Sequence, residues 1–487
     1  MKTRQPCLGR SRLLPFLFIM AATVATPRAM AQQPDDRTLI YRNDGLELRW
    51  HLQGGVNAVS ERNLFWNFSN TVAPEADFDP DTDWLEMYVK PGISFDRSLR
   101  RGHRLYGKLS SVASYTAGID AFDAGNTGRV TLEEGYIGFL TATNGMPAID
   151  ISVGPRELVL GSGMLIANGG ASGFERGALK FGPRKAWKQA AIGKLVDDVA
   201  SVTAFYLAPN ELPSTSGHNK LAGLDLRHDA PQGGYLGLSY IHVLRSESVY
   251  PKAAPGGRGP PSIVPDGRDG TNALNAYAKS SPFKGAFKNA FVTGDLAYEW
   301  NDRIDMEAWA GRVQLGYAFE KFAWNPTLTY SFQTFSGDDP NTSRLERFDP
   351  LYYEGSPGAW ATGSKSSMVF INSNVQSQEI AISVHPTKRD TLTLRYAYIR
   401  ANELNSPLQF GQATRIETTG GTANIVTGVD NAHLSDDVFL EYNRVINRNT
   451  YLTAGLSVSF PGKGIRDVVD GDAPNWVGGF VNVVVNF

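Results

Sequence analysis

The chain ends with the stretch WVGGFVNVVVNF (476–487), in which apolar residues recur at every second position. Successive side chains of a β-strand point to opposite faces, so this period predicts a strand with one apolar face. That face carries Val481, Val483, Val485 and the terminal Phe487. An aromatic residue at the end of such a strand resembles the recognition signal of outer-membrane barrel assembly. We therefore expect the barrel-assembly machinery among the partners of this chain.

The same alternation recurs along most of the sequence. In LELRWHLQ (46–53), leucines and Trp50 share one face while charged and polar residues share the other. Residues 84–96, 307–319 and 391–400 repeat the pattern. A water-soluble β-sandwich would show this alternation as well, so the period alone predicts an all-β fold and leaves its setting open.

Strand length and connection length favour a membrane barrel over a sandwich. Many alternating runs reach about ten residues, the length that a tilted strand needs to cross a bilayer, whereas strands of globular proteins average about 5–6. Short connections at 98–102, 230–234, 386–390 and 447–449 alternate with long ones at 60–83, 247–271, 336–375 and 401–435. Short turns on one side and long loops on the other are typical of bacterial outer-membrane barrels.

Counting these runs predicts a transmembrane antiparallel β-barrel of about 18 strands, with 16 as the alternative. The predicted strands are 46–59, 84–97, 103–116, 130–141, 149–157, 174–182, 199–207, 220–229, 235–246, 272–278, 289–300, 307–319, 325–335, 376–385, 391–400, 436–446, 450–460 and 477–487. An even count puts both ends of the barrel on the side of the short turns. A barrel of this size encloses an aqueous lumen.

The N-terminus reads as a secretory signal over residues 1–31, which leaves residues 32–487 for the barrel. A basic stretch precedes the apolar run LLPFLFIMAATVAT (13–26), and Ala29-Met30-Ala31 is a small-x-small cleavage site. The single cysteine, Cys7, leaves with this signal, so we expect no disulfide and no thiolate chemistry. The remainder holds 42 basic against 49 acidic residues, a net charge near −7 that argues against nucleic acid as a partner.

Several motifs resemble the alginate-export family of outer-membrane channels. They are VGPRELVLGSG (153–163), FERGALKFG (174–182), SFQTFSGDDPNT (331–342) and FDPLYYEG (348–355), together with the closing strand. Their order and spacing match the family along nearly the whole secreted chain. The resemblance implies a monomeric 18-stranded channel in the cell outer membrane, with a basic constriction that passes an anionic uronate polysaccharide. It also implies contact with outer-membrane lipid and lipopolysaccharide, and periplasmic polysaccharide-export proteins as partners.

Strand alternation places a set of basic side chains inside the lumen, where fixed charge would select an anionic cargo. The candidate lining residues are Arg49, Lys90, Arg104, Lys108, Arg156, Arg227, Arg312 and Arg395. The same parity also places acidic residues inside, among them Glu47, Glu86, Asp150, Asp225, Asp295, Glu299, Glu379 and Glu441. The alternative interpretation is therefore a network of ion pairs that holds the barrel wall together.

Two loop features complete the candidates. Six basic residues lie in 175–194 against Glu175 alone, and residues 183–194 are predicted to form a periplasmic turn, so they would make a basic collar at the mouth of the pore. The acidic run Asp77, Asp79, Asp81 and Asp83 lacks the spacing of a calcium-binding EF-hand. We expect a solvated loop there, no metal and no cofactor. Aromatic residues near strand ends, including Trp84 and Trp476, suit interfacial girdles or stacking on sugar rings.

Three other functions compete with a channel for an anionic saccharide. The first is a general porin for small solutes such as organic acids, aromatic compounds or neutral sugars. The second is a barrel enzyme, but the seven histidines fall into no recognisable Ser–His–acid pattern, and the inward-facing His51 and His385 suit a polar lining. The third is a secreted soluble β-protein.

Overall fold

The structure is a computed structural model that describes residues 36–487 except 73–77, 142–146, 171–172, 215, 231–232, 282, 354–360, 409–414, 420–421 and 470. The predicted signal peptide, residues 1–31, lies outside the described residues. So does Asp77, the first member of the acidic run.

The described residues are almost entirely β-structure. The strands are β1 (Leu39–Asn43), β2 (Leu46–Arg62), β3 (Thr82–Ser98), β4 (Arg104–Gly118), β5 (Gly128–Leu140), β6 (Ala148–Val153), β7 (Gln189–Val196), β8 (Ala200–Ala208), β9 (Lys220–Asp229), β10 (Tyr235–Arg245), β11 (Tyr250–Lys252), β12 (Ser262–Val264), β13 (Asn272–Ser280), β14 (Ala290–Asn301), β15 (Met306–Ala318), β16 (Thr327–Phe335), β17 (Val375–Thr387), β18 (Asp390–Ala401), β19 (Arg415–Thr419), β20 (Thr422–Val426), β21 (His433–Asn447), β22 (Thr450–Pro461) and β23 (Trp476–Asn486). Three short α-helical turns accompany them: α1 (Phe68–Val72), α2 (Gly173–Arg176) and α3 (Lys463–Arg466). No helix among the described residues is long and apolar enough to cross a membrane.

Eighteen of these strands form one closed antiparallel barrel, and each of them pairs with its neighbours along the chain. They are β2 to β10, β13 to β18 and β21 to β23. The barrel closes where the last strand pairs with the first, from Gln53 opposite Asn486 to Arg62 opposite Val477. The predicted 18-stranded barrel is thereby confirmed.

Most short connections lie at the end of the barrel where its first strand begins and its last strand ends, which we call the terminal end. The exception is the connection of residues 302–305 between β14 and β15, which lies at the opposite end. Only residues 388–389 join β17 to β18, and only residues 448–449 join β21 to β22. The long connections lie at the opposite, loop end, as the sequence predicts. Two small hairpins, β11–β12 and β19–β20, stand within these long connections.

The two faces of the wall are the reverse of those in a water-soluble protein. On β14, Leu296 is 70% exposed on the outside, whereas Asp295 and Glu299 on the inside are buried. Such an apolar exterior around a polar interior suits a bilayer and rules out the soluble sandwich. The tightly packed residues lie inside the barrel and include Trp66, Trp187 and Phe348.

One predicted strand is wrong. Residues 174–182 do not extend, because Gly177 and Ala178 have φ angles of +73° and +55°, and the eighteenth strand is β7 instead. A Cβ on Gly177 would lie 2.7 Å from the carbonyl oxygen of Thr127, so only glycine fits this close approach. The preceding strand β6 also stops early, because Gly154 turns with a φ of +119°.

Candidate functional site

Two long connections fold back into the lumen instead of leaving the barrel. We call the described residues 154–170 and 173–188 the first infolded segment, and the described residues 336–353 and 361–374 the second. Leu165 of the first segment accepts a hydrogen bond from the amide of Tyr352 in the second, at 2.9 Å. The rings of Tyr352 and Trp187 also pack edge to face, with centroids 5.1 Å apart. The two segments therefore form one buried unit inside the barrel.

The first infolded segment crosses the lumen from one wall to the other. At one side, Glu86 on β3 accepts hydrogen bonds from the amides of Lys180 and Phe181, at 2.9 and 3.0 Å. At the other side, the hydroxyl of Ser162 contacts Asp295 on β14 and accepts a hydrogen bond from Arg312 on β15. Since β3 and β14 lie opposite each other in the strand order, the segment divides the lumen.

Carboxylates of the wall hold both segments by their backbones. Glu133 on β5 accepts hydrogen bonds from the amides of Lys185 and Ala186, at 2.8 and 3.1 Å. Asp437 on β21 accepts hydrogen bonds from the amides of Lys365 and Ser366, at 2.8 and 3.0 Å. A buried carboxylate that accepts several amide hydrogens is a strong anchor. These inward-facing acids therefore position the segments that shape the pore.

The strand register places seven of the eight predicted lining residues on the inner face of the wall, and Arg156 just beyond the end of β6. All seven form ion pairs. The pairs are Arg49–Glu47 (3.0 Å), Lys90–Glu133 (3.3 Å) and Lys90–Glu157 (3.0 Å), Arg104–Asp96, Lys108–Glu134 (2.5 Å), Arg227–Asp229 (2.7 Å), Arg312–Asp295 (3.0 Å) and Arg395–Glu441 (3.5 Å). Most of the lining charge is thus neutralised within the wall.

Arg156 is different, because within the described part of the chain it has no carboxylate at ion-pair distance. Its guanidinium donates hydrogen bonds to the hydroxyl of Tyr106 at 3.1 Å and to that of Ser152 at 2.5 Å. It also lies over two aromatic rings, 4.6 Å from the centroid of Tyr136 and 5.6 Å from that of Tyr106. The side chain is fixed by neutral partners and keeps its full charge for a ligand.

A second cation stands beside Arg156. Lys194 on β7 is opposite Asp150 on β6 and shares the inner face with Ile192. The described residues offer its ammonium group no hydrogen-bond or ion-pair partner, although the charges of Arg156 and Asp150 act on it. We call Tyr106, Tyr136, Arg156 and Lys194 the vestibule cluster. It lies close to the terminal end, since the β7–β8 turn begins three residues after Lys194.

The predicted basic collar at residues 183–194 is wrong. Residues 189–194 belong to β7, and residues 183–188 belong to the first infolded segment. Arg184 is buried, where it donates to the hydroxyl of Ser114 at 2.6 Å and to the carbonyl of Gly177 at 2.9 Å. This burial lowers the pKa of Arg184 to about 10. Arg176 is also buried, and it donates to the carbonyl of Asn210 at 2.7 Å.

Two aromatic residues that were predicted to suit an interfacial girdle lie inside the barrel instead. Trp84 and Trp476 are buried, and their indole N–H groups donate to Glu86 at 3.0 Å and to Glu61 at 2.9 Å. Other aromatic residues do face outwards, as predicted, among them Tyr298 and Trp309.

Glu61 on β2 joins the two infolded segments to the wall, and sequence reasoning did not find it. Its buried carboxylate accepts hydrogen bonds from the ammonium of Lys180 at 2.7 Å and from that of Lys365. A Cβ on Gly478 would lie 2.0 Å from the Oε2 atom of Glu61, so a larger residue at this position of the last strand would displace the Glu61 carboxylate. The pairing joins residues far apart in the chain, and no local pattern signals it.

The remaining candidates make local contacts. Asp83 pairs with Arg62 at 2.9 Å, and Asp81 caps the amide of Asn63. His51 and His385 contact the hydroxyls of Ser94 and Thr391, at 2.7 and 3.1 Å. No group of three or more potential metal ligands occurs among the residues that the structure describes.

Comparison with known proteins finds a family match over part of the chain and a shared fold. The family described as "Alginate export" matches residues 266–478. Two of the motifs that carry the resemblance, at 331–342 and 348–355, lie inside this match, whereas those at 153–163 and 174–182 lie outside it. A comparison with curated proteins found no match.

Many solved outer-membrane barrels are similar in structure. OccAB1 of Acinetobacter baumannii gives a TM-score of 0.52 at 9% identity, covering 90% of this chain and 97% of its own. OccK5 (OpdH) of Pseudomonas aeruginosa gives 0.49 at 10% identity, with 90% and 98% covered. OmpT of Vibrio cholerae gives 0.37 at 10% identity, with 92% and 99% covered. This chain therefore has the fold of an outer-membrane β-barrel, and its residues 266–478 match the alginate-export family.

Proposed function

We propose that this channel passes an anionic saccharide of the uronate type between periplasm and exterior, without an energy source of its own. The vestibule cluster is the observation that carries this proposal. It presents two cations that lack a carboxylate partner among the described residues, beside two tyrosine rings, at the mouth of the lumen. The family match to alginate export supports the same class of cargo.

The chemistry of the cluster suits a uronate. A guanidinium binds a carboxylate through two parallel hydrogen bonds, and Arg156 is held in place by Tyr106 and Ser152. Lys194 adds a point charge that does not require one fixed orientation. Because a channel must also release its cargo, two half-buried cations suit transport better than a deep binding pocket would.

The remaining predicted lining residues have a secondary role in this proposal. Arg104 and Arg227 form partly exposed ion pairs in the lumen, where a passing carboxylate competes with Asp96 and Asp229. Exposed pairs of this kind contribute little stability, typically about 0–1 kcal/mol, so exchanging partners costs little. Arg312 is buried and serves as an anchor in the wall.

A general porin for small solutes is the second candidate, and one observation favours it. Seven of the eight predicted lining cations are paired with carboxylates, so the lumen as a whole is close to balanced in charge. A lumen with balanced charge selects weakly between anions, cations and neutral solutes.

The proposal extends to the biogenesis of the chain. Residues 1–31 would direct secretion and be removed, and residues 32–487 would form the barrel. The closing strand, with Phe487 at its end, would be recognised by the assembly machinery. Contact with lipopolysaccharide outside, and with polysaccharide-export proteins inside, belongs to the same proposal.

Single-channel recording in planar bilayers tests the choice of cargo. We expect trigalacturonate, added on the periplasmic side, to interrupt the current at concentrations where the neutral maltotriose has no effect. Arg156→Gln should weaken this block several-fold, whereas Arg100→Gln, which removes one exposed charge from a turn at the same end, should leave it unchanged. Equal block by both sugars would contradict the proposal and favour the general porin.

A further inference from the structure

Three neighbouring turns at the terminal end carry an unusual set of exposed side chains. Four aromatic residues project there, and we call them the aromatic lip: Phe283, Phe287, Phe322 and Trp324. Basic residues are interleaved with them: Lys284, Lys288, Lys321, Lys388 and Arg389. Glu320 is the one exposed acid on the described part of these turns. The turns connect β13 to β14, β15 to β16 and β17 to β18, so they occupy one sector of the rim.

The lip continues the lipid-facing surface of the barrel. Tyr317 lies two residues after the exposed Leu315 on β15, so both side chains point outwards from the barrel. Its ring packs against Phe319 with centroids 4.7 Å apart, and Phe319 packs against Phe322 at 5.7 Å. An unbroken row of rings thus leads from the outer wall to the lip. Phe322 is 65% exposed at the end of this row.

The turn that holds Trp324 is fixed in place. The amide of Phe319 donates to the carbonyl of Pro326 at 2.8 Å, and the carbonyl of Trp324 accepts from the amide of His385 on β17 at 2.8 Å. Trp324 has a φ of +64°, a left-handed conformation that is rare for a bulky residue. Its side chain is nevertheless 57% exposed. The fold therefore keeps a large aromatic side chain at the surface in a strained backbone position.

Other parts of the rim differ. The β7–β8 turn carries Asp197 and Asp198, and Asp197 caps the amides of Val199 and Ala200. The β3–β4 turn carries the exposed Arg100 and Arg101 but no aromatic ring of Phe, Tyr or Trp. Among the described turns of this rim, exposed Phe and Trp side chains beside basic residues are thus confined to one sector, whereas a generic girdle would surround the barrel.

We propose that the aromatic lip and its lysines form a binding surface for anionic phospholipid in the periplasmic leaflet of the outer membrane. The amphipathic indole of Trp324 inserts at the level of the headgroups, and the three phenylalanine rings insert at the boundary between headgroups and acyl chains. Each lysine near an anionic surface adds to the electrostatic attraction. Anionic lipid is thereby gathered on one side of the mouth.

Fluorescence of Trp324 tests this surface directly. The purified barrel is placed in nanodiscs of brominated phosphatidylglycerol or brominated phosphatidylcholine, and the contribution of Trp324 is taken as the difference between the native protein and Trp324→Phe. We expect this contribution to be quenched by the brominated lipids, more strongly by phosphatidylglycerol, and to be shielded from acrylamide in water. The same difference for Trp309, exposed on the outer wall, is the control and should be quenched by both lipids.

A triple variant, Lys284→Gln with Lys288→Gln and Lys321→Gln, isolates the role of charge. It should abolish the preference for phosphatidylglycerol while Trp324 stays in contact with lipid. The proposal is overturned if Trp324 is open to acrylamide and insensitive to brominated lipid, since the lip would then project into the periplasm as a surface for a protein. Equal quenching by both lipids in the native protein would overturn the part that concerns anionic lipid.

Discussion

Arg312 and Asp295 face each other on the neighbouring strands β15 and β14, with the arginine Nε 3.0 Å from a carboxylate oxygen and both side chains at most 1% exposed. The same guanidinium donates to the hydroxyl of Ser162 in the first infolded segment, at 2.6 Å. An arginine predicted to contact the cargo is thus part of the internal framework.

Removing either partner of this pair should destabilise the barrel. Arg312→Ala leaves a buried carboxylate without its cation, which typically costs about 3–5 kcal/mol. The folded barrel is followed by its distinct mobility on a gel of unheated samples. We expect this folded band to disappear at a lower urea concentration in the variant than in the native protein. Arg104→Ala, which breaks an ion pair that is half exposed at the rim, is the matched control and should change stability by less than about 1 kcal/mol. Equal effects of the two variants would contradict the assignment of Arg312 as an anchor.

Glu61 should couple the two infolded segments. Its carboxylate is shared between Lys180 and Lys365, so Glu61→Gln weakens one attachment of each segment at once. We expect amide hydrogen exchange to rise in residues 154–188 and 361–374 together, while the wall strands stay protected. The control is Glu47→Gln, which removes a carboxylate from an exposed pair of the same strand. A response confined to one segment would show that Glu61 does not link them.

The charge of Lys365 should make ion selectivity depend on pH. Burial, with the nearby charge of Lys180, lowers the pKa of Lys365 to about 8. The group is therefore charged at pH 7 and largely neutral at pH 9, so the lumen loses one positive charge as the pH rises through this window. We expect reversal potentials in a salt gradient to shift towards less anion preference between pH 7 and pH 9.

Lys365→Met separates this titration from others in the lumen. The variant should show the weaker anion preference at pH 7 already, and little further change up to pH 9. A pH-dependent shift that persists in the variant would assign the titration to another group.

Local sequence patterns predict the barrel wall well. Alternation is a property of each strand by itself, and strands such as β14 and β21 must present one apolar face to lipid. The strand count of 18 follows from these patterns even though one predicted strand is misplaced. The error lies at residues 174–182. Their sequence alternates as in a strand, but two successive positive φ angles at Gly177 and Ala178 prevent an extended backbone.

The interior of the barrel was much harder to predict. The alternation of side chains along a strand places Arg312 and Arg395 inside the barrel. It does not show whether a carboxylate neutralises their charges. The anchors Glu133 and Asp437 act on backbone amides of segments that lie far away in the sequence. Lys365 and Glu61 are separated by 304 residues, and only the closed barrel brings them together. Long-range contacts of this kind depend on how two loops fold inwards, which alternation does not encode.

The reversal potential of the open channel in a potassium chloride gradient tests the central claim most directly, namely that the vestibule cluster gives the lumen its preference for anions. We compare the native protein with the double variant Arg156→Gln, Lys194→Gln and with the control Arg100→Gln, all at pH 7. The account predicts anion selectivity in the native protein and the control, and its loss in the double variant. A native channel that prefers cations, or a double variant as anion-selective as the native protein, would contradict it.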